Sequence, residues 1–258
     1  MKTELILGTL DPAFDTMLDE ALANSAVSLP IRHLVVKGSW ASLFNQLYLF
    51  SASRELLDDI QGRFTKIQHR HLIPYTVVTH KGKIALYART PKGTESQLHG
   101  KHSIGFGGHI DLVDVAYFGE TGTYGGVEYK RNSIDLASTV GTALGRELEE
   151  ELGVHPDNIE SFHNPMSAEG YDKYMNHHYG EREHSLIISR ASDVDSRHLA
   201  LVYRVELKDI SELVIEDQLN FIGWFTVEEL RSQYFEELES WSQAIIAGND
   251  PLKTPTFY

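Results

Sequence analysis

The stretch "GRELEEELGV", residues 145–154, places four glutamates in one short helical segment. A helix advances about 100° per residue, so Glu147, Glu150 and Glu151 share one face close to the helix end that Gly153 marks. Like charges at these spacings repel by about 0.2–0.5 kcal/mol per pair, and the helix dipole adds an unfavourable term at a C-terminus. Either this face is simply well solvated, or it binds a cation.

The residues before this stretch predict a helix over residues 133–152. Its apolar side chains recur every four positions and form one stripe: Leu136, Val140, Leu144, Leu148 and Leu152. Glu147 and Glu151 flank this stripe on one side and Glu149 flanks it on the other. The acids therefore lie beside the expected core contact rather than opposite it.

Composition limits the classes of protein to which the chain can belong. Its 258 residues carry a formal net charge of −14 and no cysteine. The negative charge argues against nucleic-acid and anionic-membrane binding, and the lack of cysteine excludes disulfides and thiolate metal sites. The N-terminal residues have no apolar core of signal-peptide length, and no run reaches the length of a membrane span. We expect a cytoplasmic protein whose partners are neither nucleic acid nor membrane.

Strand patterns alternate with helical ones without regular βαβ units, which favours an α+β fold with a mixed sheet. Four stretches predict strands: "LIPYTVVTHKGKIALYART" around a Lys-Gly turn, "SIGFGGHID" running into a glycine pair, "HLALVYRVEL" and "FIGWF". Residues 115–132 predict a loop or small excursion. Thr226 and Glu229 have the spacing of a capping box and predict the start of a long helix.

Three of these stretches together resemble a known family. "RELEEELGV", residues 146–154, matches the core of the Nudix motif, Arg-Glu-apolar-any-Glu-Glu-any-Gly-apolar, at every specified position. "GGHIDLVD", residues 107–114, resembles the opening of that motif, and "GWFTVEEL", residues 223–230, resembles the strand and helix start that often close the domain. The chain is similar to Nudix hydrolases over residues 70–235.

The resemblance requires an insertion in the motif. Residues 115–145 separate Asp114 from Arg146, many more than the family has between its upstream acid and its arginine. A contiguous alignment would instead put Asn132 and Ser138 at the glycine and acid positions, where neither fits. A motif split after Asp114 is preferred because surface loops tolerate insertions at small entropic cost. Asp114 also stands where the family has glutamate.

The resemblance implies a Nudix-like α/β/α sandwich with a mixed sheet. Residues 71–258 would form this domain, including a C-terminal helix, and residues 1–70 an N-terminal extension or subdomain. It further implies that the motif glutamates bind Mg²⁺ or Mn²⁺, with the backbone carbonyl of Gly107 as an extra ligand, and that Arg146 orients a glutamate. The implied ligands and catalytic groups are Glu147, Glu150 and Glu151.

Two groups outside the motif, and one histidine beside the glycine pair, stay open. In "VIEDQLNFIGW", Glu216 or Asp217 is either the general base, an extra metal ligand or an exposed loop acid. The densest histidine cluster is "MNHHYGEREH" at residues 175–184. It is either a zinc site, a substrate-facing loop or a solvated loop. His109 either faces the active site or is a hydrogen-bonded structural histidine.

The leading hypothesis for function is a metal-dependent hydrolase that cleaves a diphosphate linkage in a nucleoside diphosphate derivative. The alternative is a non-catalytic nucleotide- or ligand-binding regulatory module on the same fold. A diphosphate isomerase is a third reading, but that chemistry often uses a cysteine and this chain has none. An acidic helix with a purely structural role is the remaining one. Whether the protein forms a homodimer stays open.

Overall fold

The computed structural model describes residues 5–10, 33–37, 48–53, 69–92, 96–124, 127–163, 184–189 and 192–248. The strands in these ranges are β1 Leu5–Leu10, β2 His33–Lys37, β3 Tyr48–Ser53, β4 His69–His80, β5 Lys83–Arg89, β6 His102–Ser103, β7 Gly105–Phe106, β8 Ala116–Tyr124, β9 Val127–Asp135, β10 Ile159–His163, β11 His184–Ser189, β12 His198–Leu207 and β13 Leu219–Phe225. The α-helices are α1 Leu136–Leu152, α2 Asp193–Arg197, α3 Val227–Glu229 and α4 Ser240–Gly248.

One mixed sheet organises the described part of the chain. Its main path runs β13-β5-β4-β12-β11-β2, with β1, β3, β6, β7 and β10 paired off this path. β4 and β12 are parallel over most of their length, whereas β5 pairs antiparallel with both β4 and β13. The mixed sheet with helices confirms the predicted α+β class.

The predicted Lys-Gly turn joins β4 to β5. Lys81 and Gly82 have φ values of 48° and 74°, and His80 pairs with Lys83 across them. Two successive positive φ angles produce the tight turn that suits the twist of a hairpin, and glycine adopts such an angle without steric cost.

The sheet has an apolar cluster on each face, as expected for a sandwich. One cluster joins Leu72 and Phe106 of the sheet to Leu144 and Leu148 of α1. The other, on the opposite face, contains side chains from β4, β5, β12, the segment after β13 and α4, among them Tyr75 and Trp241. The alternation follows from the period of two along a strand. Helix α1 is thereby fixed against one face of the sheet.

The excursion predicted for residues 115–132 is a hairpin. β8 and β9 pair antiparallel from Ala116 opposite Asp135 to Tyr124 opposite Val127 and form a separate two-stranded sheet. The predicted helix start at residue 133 is therefore wrong, since β9 extends to Asp135. The Asp135 side chain then caps α1 by accepting a hydrogen bond of 3.1 Å from the Ser138 N–H.

The C-terminal prediction is half right. Thr226 and Glu229 form the predicted capping box, but the long helix after it is wrong. α3 passes into a π-turn and a 3₁₀ turn, the backbone is extended at Leu238, and α4 then begins at Ser240. The break brings the Glu239 N–H to the His102 carbonyl at 2.8 Å, and the Glu239 carboxylate accepts from the buried Tyr75 hydroxyl at 2.8 Å.

The first 70 residues contribute strands to the main sheet wherever they are described. β1 pairs with β3 and with the start of β4, and β2 pairs with β11. The division into residues 1–70 and 71–258 stays a prediction. The sequence of residues 53–64 also has helical spacing, but apart from Ser53 these residues lie outside the described ranges. Among the described residues, no helix combines the length and apolarity needed to cross a membrane.

Candidate active site

Helix α1 presents its acids along the edge of its buried stripe. Four of the five predicted apolar positions are buried in the core, namely Val140, Leu144, Leu148 and Leu152; the side chain of Leu136 is not among those described. Glu151 is only 8% exposed and the Glu147 side chain 13%, whereas the Glu150 side chain is 58% exposed. Two of the three motif glutamates are therefore largely withdrawn from water.

Arg146 connects these acids to the upstream loop. Its Nη1 donates to Glu147 Oε1 at 2.8 Å and to Glu150 Oε2 at 3.1 Å. Its Nε and Nη2 donate to the two carboxylate oxygens of Asp114 at 3.1 and 2.8 Å, and Nη2 also donates to the His109 carbonyl at 3.0 Å. The hydrogen bonding that Arg146 donates to Asp114 is the main influence that raises the pKa of Arg146. One guanidinium thus fixes the helix face relative to residues 109–114.

The acid positions of the split and the contiguous alignment have different surroundings. Asp114 is buried at 3% exposure and forms a two-pronged ion pair with Arg146. In the contiguous alignment the corresponding residues would be Ser138, whose hydroxyl donates to Asp135 at the helix start, and Asn132, which lies opposite Gly119 in the hairpin.

The glycine pair before Asp114 lies directly against the glutamates. The Gly107 N–H donates to Glu151 Oε2 at 2.8 Å. Gly107 has φ of +143°, and a Cβ atom there would meet the Pro74 carbonyl oxygen at 1.9 Å. A Cβ atom on Gly108 would lie 2.7 Å from Glu147 Oε1. Gly107 requires glycine because backbone occupies the space of a side chain. A side chain at Gly108 would instead displace the flexible end of Glu147.

Burial changes the acidity of two glutamates. Desolvation raises the pKa of Glu151 to about 8, against the lowering effects of Arg89 and the Gly107 N–H, and repulsion from Glu147 and Glu216 adds to the rise. Desolvation likewise raises the pKa of Glu147 to about 7, although Arg146 lowers it. The fold therefore holds two carboxyl groups that resist ionisation unless positive charge comes close.

The hydrogen bonds leave one oxygen of each motif glutamate without a protein donor among the described residues. The bonded atoms are Glu147 Oε1, Glu150 Oε2 and Glu151 Oε2. The three carboxylates do not bring their oxygens within 4.8 Å of one another. In the described part of the chain, one group of three His or acidic residues meets that distance, and its members are histidines.

Of the two loop acids, Glu216 lies at the glutamate site. Its N–H donates to the Glu151 carbonyl at 3.0 Å, and the Val214 N–H donates to the Leu152 carbonyl at 3.0 Å, so this loop satisfies two carbonyls at the end of α1. Asp217 points to a different partner, since its carboxylate forms an exposed ion pair with Lys92 at 2.9 Å. That ion pair lowers the pKa of Asp217.

Sequence reasoning missed several residues near the site. Arg89 lowers the pKa of Glu151 from a distant strand, and no local pattern indicates its role. His109 contacts His71 and His198 through its ring, and neither of these two was singled out. The histidine-rich residues 175–184 lie outside the described residues except for His184, which starts β11.

Comparisons with known proteins agree with this architecture. No protein-family model matches the chain. It is 27% identical to the protein YmaB of Bacillus subtilis (strain 168) over 176 residues, 67% of this chain and 68% of YmaB. Its structure is similar to the crystal structure of Tm1382, a candidate Nudix hydrolase, with a TM-score of 0.55 and 17% identity over 95% of this chain and 97% of that one.

A more distant match is a Nudix-family hydrolase from Clostridium perfringens. It gives a TM-score of 0.41 at 16% identity and covers 71% of this chain and 95% of that one, which is too low to support the fold by itself. The similarity to Tm1382 shows the fold: this chain has the mixed-sheet α/β fold seen in that protein.

Proposed function

We propose that the protein is a metal-dependent hydrolase that cleaves a diphosphate linkage in a nucleoside diphosphate derivative. The observation that carries this proposal is the pair of buried carboxyl groups, Glu147 and Glu151, packed against the Gly107–Gly108 backbone next to the more exposed Glu150. Burying two like charges side by side is costly unless a cation joins them.

The donor set fits Mg²⁺ or Mn²⁺. Mg²⁺ takes oxygen ligands and is usually bound through one or two carboxylates, with waters and substrate phosphates in its other positions. Glu147, Glu150 and Glu151 each keep one oxygen for such an ion, and the open arrangement of their carboxylates suits a shell completed by substrate. The Gly107 carbonyl stays a proposed extra ligand. When bound, the ion neutralises the diphosphate oxygens and activates water.

The chain's own residues position these groups. Asp114 fixes the guanidinium of Arg146, and Arg146 in turn holds Glu147 and Glu150 through charge-assisted hydrogen bonds. The Gly107 N–H holds one oxygen of Glu151 and leaves the other to face a ligand. Pre-organisation of this kind lowers the cost of orienting groups during the reaction.

Glu216 is the proposed general base. Its backbone is hydrogen-bonded to the end of α1, and its Oε1 accepts from Gln218 Nε2 at 2.7 Å, which restrains the side chain near Glu151. A carboxylate at this position can take the proton of an attacking water at Oε2. Asp217 is a weaker choice, because its ion pair with Lys92 draws it away.

Hydrolysis of a panel of nucleoside diphosphate derivatives, followed as formation of the nucleoside monophosphate with and without Mg²⁺ or Mn²⁺, tests the proposal. We expect metal-dependent turnover of at least one compound, and loss of that turnover in Glu150→Gln. Glu149→Gln is the matched control, because Glu149 is an exposed neighbour outside the Arg146 network. Equal activity of the two variants would contradict the proposed role of the glutamates.

The alternative is a regulatory module that binds a nucleotide or other ligand without cleaving it. It predicts metal-dependent binding of a diphosphate compound with no cleavage to a nucleoside monophosphate across the panel. The net charge of −14 supports a small diphosphate, rather than nucleic acid, as the partner of either form, because a metal can supply the positive charge that a phosphate requires. A cytoplasmic location is part of the same proposal.

A further inference from the structure

Three histidines outside the proposed catalytic machinery bring one ring nitrogen each to a common point. His71 Nδ1 lies 3.2 Å from His109 Nε2, and His198 Nε2 lies 3.3 Å from the same His109 atom. All three ligand atoms lie within 4.8 Å of one another. His71 and His198 are buried, with 1% and 5% exposure, and His109 is half-buried.

The fold, rather than local sequence, creates this cluster. His71 on β4 and His198 on β12 are register partners in the parallel strand pair, so their side chains leave the same face of the sheet. By the period of two, this is the face of Ile73 and Ala200, which belong to the cluster packed against α4. His109 reaches the pair from the loop that follows the glycine pair.

Two of the three nitrogen–nitrogen distances match those of a metal site, and the third is within 4.8 Å. Zinc binds histidine nitrogen at about 2.0–2.1 Å with tetrahedral angles, which places two ligand nitrogens about 3.3 Å apart. The observed separations of 3.2 and 3.3 Å have this value.

The tautomer of His198 also suits a metal ligand. Its Nδ1 lies 2.6 Å from the Val194 carbonyl oxygen. A carbonyl oxygen only accepts, so Nδ1 carries the proton and, in the neutral ring, Nε2 presents its lone pair to the cluster. Metal-bound histidines commonly donate their second ring nitrogen to a carbonyl in this way, which fixes the ring orientation.

Both short contacts involve the same atom of His109. His109 Nε2 carries either one proton or one lone pair, so it cannot donate to one of these neighbours and accept from the other. A single cation can be bound by one nitrogen from each of the three rings.

We propose that His71, His109 and His198 form a binding site for a divalent transition-metal ion of the zinc class. Imidazole ligands suit zinc, whereas Mg²⁺ prefers oxygen, so this site and the glutamate site differ in chemistry. The proposal does not depend on the proposed hydrolase activity, since it concerns metal binding by other side chains.

An ion at this site would anchor the loop that serves the glutamates. The His109 carbonyl accepts from Arg146 at 3.0 Å, and Gly107, two residues earlier, donates to Glu151 at 2.8 Å. The ring of His109 would be held by metal while its backbone holds the arginine. The site therefore has a positioning role for the 107–109 segment.

Titration with Co²⁺ tests the site without any measurement of activity. The whole chain is freed of metal with a chelator and titrated in excess Mg²⁺, which occupies carboxylate sites. We expect one equivalent of Co²⁺ to bind with the intense visible absorption of tetrahedral cobalt, and Zn²⁺ to displace it. A weak, octahedral-type spectrum in the parent protein would overturn the proposal.

Variants assign the binding to these side chains. His71→Ala and His198→Ala should each weaken Co²⁺ binding at least roughly tenfold, the lower range seen for loss of supporting groups around a metal. His80→Gln is the control on β4, the strand of His71. His80 is half-buried and, like His198, has its Nδ1 close to a carbonyl oxygen, at 2.8 Å from that of Leu207. Unchanged affinity and spectrum in both alanine variants would overturn the assignment.

A measurement on the parent protein decides the question if these variants do not fold. X-ray absorption of the zinc-loaded chain should show three imidazole nitrogens around the metal. A shell made of oxygen ligands would place the ion on the glutamates and reject the histidine site.

Discussion

Asp114 holds Arg146 by both of its carboxylate oxygens, at 3.1 and 2.8 Å, although 31 residues separate the two in the chain. The pair joins the loop after β7 to helix α1. Because the Asp114 side chain is 2% exposed and that of Arg146 24%, the contact is only partly screened by water.

Replacing Asp114 with Asn should therefore cost both stability and turnover. The change removes the charge and one acceptor opposite the guanidinium, and a hydrogen bond to a charged group contributes about 1.5–3 kcal/mol. We expect the free energy of unfolding in urea to fall by about 1–3 kcal/mol, because an amide oxygen keeps one bond. Asp217→Asn is the control, since its ion pair is exposed to solvent and its loss should change stability far less. Equal losses in the two variants would contradict the role of Asp114.

Glu151→Gln should change how the stability of the metal-free protein depends on pH. Burial raises the pKa of Glu151 from 4.5 to about 8, so its stabilising contribution is present below pH 4.5 and is lost as pH rises through 8. The slope for one such group is at most about 1.4 kcal/mol per pH unit. Glutamine cannot ionise, so we expect the variant to become more stable than the parent at alkaline pH.

Urea unfolding in the presence of a chelator, below and above pH 8, measures this difference. Glu149→Gln should follow the parent at every pH, because Glu149 is exposed. Added Mg²⁺ should stabilise the parent and the Glu149 variant but not Glu151→Gln, since a ligand stabilises only the state that binds it. If all three proteins respond alike to pH and Mg²⁺, the acids form only a solvated face.

Gly108→Ala should reduce metal-dependent turnover while leaving the fold intact. The new Cβ would lie 2.7 Å from Glu147 Oε1, and the flexible end of that side chain has to move. Displacement of a catalytic group by about 1 Å can cost about 100-fold in rate. Gly145→Ala is the matched control, because no atom lies within 4 Å of its Cβ, and it should stabilise α1 by about 0.5–1 kcal/mol. Steady-state kinetics and thermal unfolding check both.

The base assignment is tested by comparing Glu216→Gln with Asp217→Asn. Loss of a general base lowers kcat by about 100-fold or more and leaves the half-saturating Mg²⁺ concentration unchanged. Loss of a metal ligand instead raises that concentration. We expect the first pattern for Glu216→Gln and parent-like kinetics for Asp217→Asn. A larger loss in the Asp217 variant would reverse the assignment.

Local patterns predicted what local interactions determine. The four-residue spacing on α1, the Lys81–Gly82 turn, the capping box at Thr226 and the β12 strand all depend on neighbours within a few positions. The predicted helix start at residue 133 was wrong because strand pairing in the hairpin extends to Asp135, and only tertiary structure shows this pairing.

Contacts between distant residues were beyond such patterns. The long C-terminal helix was wrong because Glu239 leaves the helical path to bond Tyr75, a residue 164 positions earlier. The histidine cluster joins residues 38 and 89 positions apart, so no metal-ligand spacing is visible in the sequence. The order of strand and helix patterns was sufficient to predict the general class, a mixed sheet with helices.

The hairpin of β8 and β9 enters and leaves the domain at one place. Ala116 and Asp135 face each other across its base, and the Ala116 N–H donates to Thr139 Oγ1 in α1 at 2.9 Å. A closed stem of this kind can grow or shorten without moving the residues on either side of it. The segments on either side of the hairpin are thus neighbours in space although the hairpin separates them in the sequence, and a pattern search that requires them to be contiguous would pass over chains with a similar stem.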